Sequence, residues 1–264
     1  MSIEARIKDY VIRQYQLVNK DAIFDEKRNH VLCNKEDNFL NYDSNRLNKS
    51  RFHIWAGSLK SSQAFAWNFF YGNPSAKFEY ELKAINTPAQ LDVAVQKDKV
   101  IDLFEVKMYE FMTNKPAKFE DAYFKDDYYS YLCNNIREKY IEFISEVVIK
   151  FGKEHYGEGL KQLSCHLLGI LNECNGKLKD YSKINLYSVC YDYYEDSAFI
   201  KKLNSYKQDL STFKTMIDGF LESLGLSNKI KYHGFLSASE LKNEYIEKGL
   251  ISIDCVKRYF NLKR

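Results

Sequence analysis

An α/β fold, a mixed β-sheet flanked by α-helices, is what this sequence predicts, and three observations predict it. Apolar residues recur at three- and four-residue steps in some segments and alternate at two-residue steps in others. The two patterns succeed one another as helix, three strands, helix, strand, helix, strand, helices, the order of a layered α/β sandwich. Apolar (45%) and charged (28%) residues stand in globular proportion while Gly (11) and Pro (3) are scarce, so no linker divides the 264 residues.

The elements follow in order. Residues 3–18 place Ile3, Ile7, Tyr10, Val11, Tyr15 and Val18 on one stripe, an amphipathic helix that acts as a cover or arm. The polar stretch 34–51, rich in Asn, Asp and Lys, predicts a long loop of the sort that is often functional or mobile. In 58–70, Ser58 or Ser61 caps a helix whose apolar face holds Phe65, Trp67, Phe69 and Phe70, and Gly72-Asn73-Pro74 ends it. Residues 77–82 alternate as a strand, with Phe78, Tyr80 and Leu82 on one face and Glu79 and Glu81 on the other; a hairpin follows in 89–107. Residues 123–154 are mostly helical, and 159–171 form an apolar helix suited to lie on the sheet. A strand at 184–191, a helix at 199–224, a strand at 230–235 and one or two helices in 239–262 complete the chain. The whole, 1–264, reads as a single domain with an N-terminal helical arm and C-terminal helical additions.

Composition excludes several classes. No apolar run approaches the roughly 18 residues of a membrane span. The N-terminus lacks a signal-peptide stretch, which predicts a cytoplasmic protein without a membrane partner. Six dispersed cysteines without a CxxC pair argue for reduced, mostly packed thiols and against a zinc site or disulfide frame. A net charge of +3 neither demands nor excludes a polyanionic partner. No Gly-rich phosphate loop, GxSxG elbow or HExxH helix is present.

The hairpin carries the chemistry. If its turn is the pair Asp98-Lys99, Lys97 faces Val100, and counting outward sets Asp92 opposite Glu105 with Lys107 on the same face. A three-residue loop would instead send the two acids to opposite faces. Facing carboxylates, with Cβ atoms roughly 4.5–5.5 Å apart, repel unless positive charge lies between them, and a divalent cation supplies it. The competing explanation is a cross-strand salt-bridge cluster on a solvated face. Against it, Val93, Val95, Ile101, Leu103, Phe104 and Val106 put apolar residues on both faces, and a sheet covered on both sides seldom carries three central charges without a pocket or partner.

The order of elements, with Asp92 and then Glu105-Val106-Lys107, resembles the PD-(D/E)XK nuclease superfamily. Leu91 stands before Asp92 where the motif's name has Pro. Ser61-Ser62-Gln63-Ala64-Phe65 and Asn68-Phe69-Phe70 upstream, and Glu110 just beyond the motif, look like a restriction-endonuclease-like branch; the likeness covers roughly residues 53–170. The resemblance implies a restriction-endonuclease-like mixed β-sheet and a Mg²⁺-dependent endonuclease, Mn²⁺ being a substitute. Its substrate would be nucleic acid, DNA above RNA, and a homodimer would allow both strands to be cut. Asp92 and Glu105 would bind the metal, with the Val106 carbonyl as a further ligand and Glu79, preferred over Glu81, completing the shell. Lys107 would orient or deprotonate the attacking water and offset phosphate charge, and Gln162 would orient water or phosphate. A second possibility implied is an inactive descendant that keeps the fold and binds nucleic acid or a protein.

Other residues have plainer readings beside functional ones. Gln63 and Asn68 suit backbone or metal-water contacts and suit caps and packing equally. His166, amid Leu163, Leu167 and Leu168, reads as a satisfied core histidine, and His53 as packing near Trp55. Tyr128-Tyr129 and Tyr191, Tyr193 and Tyr194 fit a Tyr-rich core and rim better than base stacking.

Overall fold

Five strands join into one sheet in chain order: β1 (Ala76–Leu82), β2 (Ala89–Lys97), β3 (Val100–Lys107), β4 (Lys183–Cys190) and β5 (Ile230–Ser237). The first three pair antiparallel, and β4 and β5 run parallel to β3, so the sheet is mixed with β3 at its centre. The computed structural model describes residues 1–85, 87–125 and 134–261. Tyr128, Tyr129 and Cys133 lie outside the described residues, as does Leu262, where the last expected helix ended.

Seven helices are described: α1 (Ile3–Gln16), α2 (Ser62–Phe70), α3 (Asn134–Lys150), α4 (Gly157–Glu173), α5 (Ser197–Ser223), α6 (Ala238–Glu247) and α7 (Ile253–Phe260). Side-chain oxygens of Ser2, Ser61, Asp196, Ser237 and Ser252 accept from backbone N–H groups of the first turns of α1, α2, α5, α6 and α7. Ser61 therefore makes the α2 cap, and Ser58 does not. The apolar face expected of α2 is incomplete as a description, because every residue from Gln63 to Phe70 is buried.

The sheet is covered on both sides. Phe70 of α2 packs on Phe104, ring centroids 4.9 Å apart, while α4 lies across the other face. Gly169 lets α4 approach closely: a Cβ there would come within 2.8 Å of the Leu82 Cβ and 3.0 Å of the Ala89 Cβ. Leu160, Leu163, Leu167, Leu168 and Ile170 are all but inaccessible, as burial between helix and sheet requires.

The stretch 34–51, expected to be a long loop, is instead packed. It forms short 3-10 turns at Lys35–Asn38 and Lys49–Arg51, and Phe39 and Leu47 are buried with Ala56, Ala64 and Trp67. Apolar residues hidden among its polar ones account for the difference. Buried Arg258 of α7 donates to both the backbone and the side-chain oxygen of Asn38 and lies over the Tyr15 and Tyr259 rings, fixing this segment to the C-terminal end. Asn68 serves the same segment, accepting from Leu40 N–H and donating to Asn38 O and Tyr259 Oη.

Within 123–154 the described helix is α3 alone, preceded by a 3-10 turn at Asp121–Phe124. Tyr191 and Tyr194 are buried, and Tyr191 Oη donates to the Tyr259 carbonyl at 2.7 Å, which makes them core residues. Among the described cysteines Cys174, Cys190 and Cys255 are buried, Cys165 is intermediate and Cys33 is exposed, all free thiols. No described helix is long and apolar enough to cross a membrane.

Candidate active site

The β2–β3 turn fixes the geometry. Lys97 pairs with Val100 and the ladder continues to Val93 with Phe104, the register of a two-residue turn at Asp98-Lys99. Asp98 takes φ of 52°, a left-handed conformation that Asp tolerates better than most residues. One step outward, Asp92 and Glu105 fall on the α4 face. There the ladder gives way to a side chain: Asp92 Oδ2 accepts from the Val106 N–H at 2.7 Å. Val106 thus meets Asp92 through its amide, while its side chain is fully buried.

Glu105 and Lys107, two residues apart on β3, are each 4% exposed and pair through Glu105 Oε1. The other carboxylate oxygen, Oε2, lies 2.7 Å from His166 Nε2. Lys107 Nζ also donates to Gln162 Oε1 at 2.8 Å. Gln162 and His166 are four residues apart on α4, hence neighbours on one helix face, Gln162 exposed at the rim and His166 buried beneath it. The core role expected of His166 is corrected in part: it is buried, and its partner is Glu105. Its spacing from Gln162 is the sequence signal that points to this position.

Glu79 enters from β1. The β1–β2 ladder runs from Phe78 opposite Val93 to Tyr80 opposite Leu91, and between them Glu79 adopts φ of 52°. A left-handed residue in a strand costs on the order of 1 kcal/mol and breaks the simple alternation expected for 77–82. Gln63 Nε2 donates to Glu79 Oε1 at 2.6 Å and to Arg51 O at 2.8 Å, and Gln63 Oε1 accepts from His53 N–H at 2.9 Å. Glu81 instead pairs with Arg51 at the surface. Of the two candidate acids on β1, Glu79 is the one that faces the hairpin carboxylates electrostatically.

Electrostatics follow from this crowding. Burial, and then the Glu105 charge, push Asp92 well above the usual carboxylate range. Burial chiefly, aided by Glu105 and Glu81 and opposed by the Gln63 hydrogen bond and Arg51, raises Glu79 to about 7. Burial would raise Glu105 as well, but Lys107 and His166 together outweigh it and hold the carboxyl at about 2. Burial disfavours the Lys107 ammonium, yet Glu105, Tyr156, Glu110 and Asp92 drive its pKa well upward. Asp92 and Glu105 thus face Lys107, while Arg51 acts on Glu79. Glu110 caps the end of β3, Oε2 accepting from Met108 N–H at 2.8 Å and Tyr109 N–H at 3.0 Å.

Asp92, Glu105, Lys107, Gln162 and Glu79 therefore converge between the α4 face of the sheet and the N-terminal turn of α2. Among the described residues, no group of three or more His, Cys, Asp and Glu side chains is arranged to hold a metal ion. The carboxylates are engaged within the protein, Glu105 by Lys107 and His166, Asp92 by Val106 and Glu79 by Gln63. Fold and site define an α/β protein with a buried carboxylate–lysine centre on the middle strands of a mixed sheet. No family model, curated protein or solved structure matches the chain.

Proposed function

We propose that the chain is a metal-dependent endonuclease of the PD-(D/E)XK type, with a restriction-endonuclease-like fold, that hydrolyses phosphodiester bonds in DNA. The observation that carries the reading is the convergence of Asp92, Glu105 and Lys107 on one covered face, where charges without a purpose are costly. The donor chemistry suits a hard divalent cation: Asp92, Glu105 and Glu79 offer only oxygens, and Asp92 and Glu79, raised by burial first and by the Glu105 charge after it, are acids whose ionised form such a cation would favour. These three residues, with the Val106 carbonyl, would hold Mg²⁺ or Mn²⁺, which supplies an activated water and charge neutralisation at the phosphate. Lys107 offsets negative charge on the phosphate and orients the water, and Gln162, hydrogen-bonded to Lys107 at the rim, positions both. Gln63 holds Glu79 in place from α2.

A second reading, a nuclease-fold protein that binds nucleic acid or a partner protein without cleaving, draws on the internal engagement of every carboxylate in the centre. One experiment separates the two. Purified protein is incubated with plasmid and with single-stranded DNA, in Mg²⁺ and in chelator, alongside calorimetric titration with Mg²⁺ and Mn²⁺. Metal-dependent cleavage with measurable metal binding is expected; the absence of both leaves the non-cleaving reading.

A further inference from the structure

A ribbon leads away from the α2 cap. Segments 28–32 and 55–59 lie antiparallel, with Val31 bridged to Ser58, Leu59 N–H donating to His30 O at 2.9 Å and Leu32 N–H to Gly57 O at 2.9 Å. This pairing brings the Arg28 guanidinium within 5.5 Å of the Trp55 ring centroid and sets Lys60 beside His30. Trp55 is 50% exposed, with Ile54 beside it 71% exposed. Lys60 is half-buried and has no carboxylate hydrogen bond or ion pair among the described residues. Lys8 of α1 lies within its electrostatic reach.

The local field is positive. Burial, opposed by Glu4 and aided by Lys8, lowers the Lys60 pKa, and burial with Lys60 and Lys8 brings His30 down to about 4. Lys8 pairs with Glu4 at 3.0 Å and Arg28 with Asp25 at 3.1 Å, whereas Glu4 and Glu110 act on Lys60 only from beyond ion-pair distance. A half-buried ammonium with no carboxylate in direct contact can take up a phosphate oxygen. It also lies next to the candidate centre: Lys60 precedes the Ser61 cap, Gln63 on the next turn holds Glu79, and Glu110 acts on both Lys60 and Lys107.

We propose that Lys60 and Lys8 hold a backbone phosphate of a single-stranded polynucleotide, with Trp55 stacking an adjacent base, so that the strand runs along this ribbon toward Asp92, Glu105 and Lys107. The proposal rests on the nuclease reading only for where the strand leads. A single strand is favoured because an exposed indole flanked by a guanidinium offers a base a face to stack on, which a paired base in a duplex cannot use.

The test is fluorescence anisotropy of a labelled oligothymidylate of about twelve nucleotides in chelator, across a range of salt, so that cleavage plays no part. Lys60→Ala is expected to weaken binding about tenfold and to reduce the salt slope by about 0.7, the contribution of one phosphate contact on a single strand. Lys60→Arg should restore both. Trp55→Ala should weaken binding by a similar factor with the salt slope unchanged, and Lys248→Ala, on the surface of α6, should do neither. Binding unaffected by Lys60→Ala and Trp55→Ala, or no binding by the wild-type protein, overturns the proposal, as does equal affinity for a duplex of the same length. Binding with these signatures in a protein that never cleaves overturns the nuclease reading alone; metal-dependent cleavage with both variants binding normally overturns this proposal alone.

Discussion

His166 Nε2 and Glu105 Oε2 lie 2.7 Å apart across 61 residues of chain, joining α4 to the central strand where the carboxylates gather. Lys107 occupies the other Glu105 oxygen, so the carboxylate sits between two nitrogen donors and stays ionised although buried. Removing the imidazole exposes one buried oxygen to no partner. His166→Ala should therefore lower unfolding stability by about 2 kcal/mol, measured by urea denaturation at neutral pH. A variant as stable as the wild type contradicts the importance of this contact.

Lys107 pairs directly with Glu105 and acts electrostatically on Asp92. Lys107→Met keeps much of the side-chain volume and removes the charge. Cleavage should fall by about 10²–10⁴-fold, the span typical of a lost proton-transfer or charge-stabilising group, in a plasmid assay with Mg²⁺. Breaking a buried pair is also costly to the fold, by up to about 3–5 kcal/mol, so the melting temperature should drop in parallel. Full metal-dependent activity in a folded variant is incompatible with the assigned role.

Asp92 offers a cleaner separation of chemistry from stability. An asparagine at this position can still accept from the Val106 N–H, and it removes one of three mutually repelling carboxylates. Asp92→Asn should melt at or above the wild-type temperature in chelator, yet lose the stabilisation that Mg²⁺ or Mn²⁺ confers on the wild type. Thermal melts with and without metal decide it: an unchanged metal-induced shift removes Asp92 from the proposed ligands.

The hairpin register was legible because a two-residue turn and a period of two leave only one way to count from Asp98-Lys99 to Asp92, Glu105 and Lys107. The alternation of helices and strands was legible for the same reason, periodicity over long segments. What escaped depends on contacts distant in sequence. Nothing local in 34–51 announces that Phe39 and Leu47 meet Trp67, or that Arg258 reaches Asn38 from the far end of the chain. The left-handed Glu79 sits where the β1–β2 ladder is interrupted and its carboxylate meets Gln63 of α2, neither of which a strand pattern encodes. Whether His166 turns to a core or to Glu105 is settled by the seating of α4, which the Gly169 contact sets.

Arg258 provides a test of that distant packing. It is 2% exposed, donates twice to Asn38 and lies between tyrosine rings, 4.6 Å from the Tyr15 centroid and 4.7 Å from that of Tyr259. Arg258→Ala leaves the buried Asn38 Oδ1 without its donor and opens a cavity, so a loss of about 3 kcal/mol is expected in denaturant unfolding. A change within about 0.5 kcal/mol, the range of ordinary surface substitutions, contradicts the buried placement.

Two limbs of the pH–stability profile should trace to the centre. Glu105, held at about 2 against an ordinary 4.5, binds fewer protons in the fold than in the unfolded chain; its contribution is present above pH 4.5 and is lost as pH falls toward 2. Glu79, raised to about 7, does the reverse. The fold binds its proton more tightly than the unfolded chain, so the metal-free protein should lose stability as pH rises from 4.5 to 7 and level off above. Glu79→Gln keeps an acceptor for Gln63 without a titrating group, and its profile should be flatter across that window. If Glu79 is also a ligand, Mg²⁺ competes with the proton, and the metal-induced rise in melting temperature should grow as pH passes through 7 in the wild type and not in the variant. Melts in chelator and in Mg²⁺ at stepped pH measure both effects, and parallel wild-type and variant profiles in chelator would show that Glu79 is not held protonated in the fold.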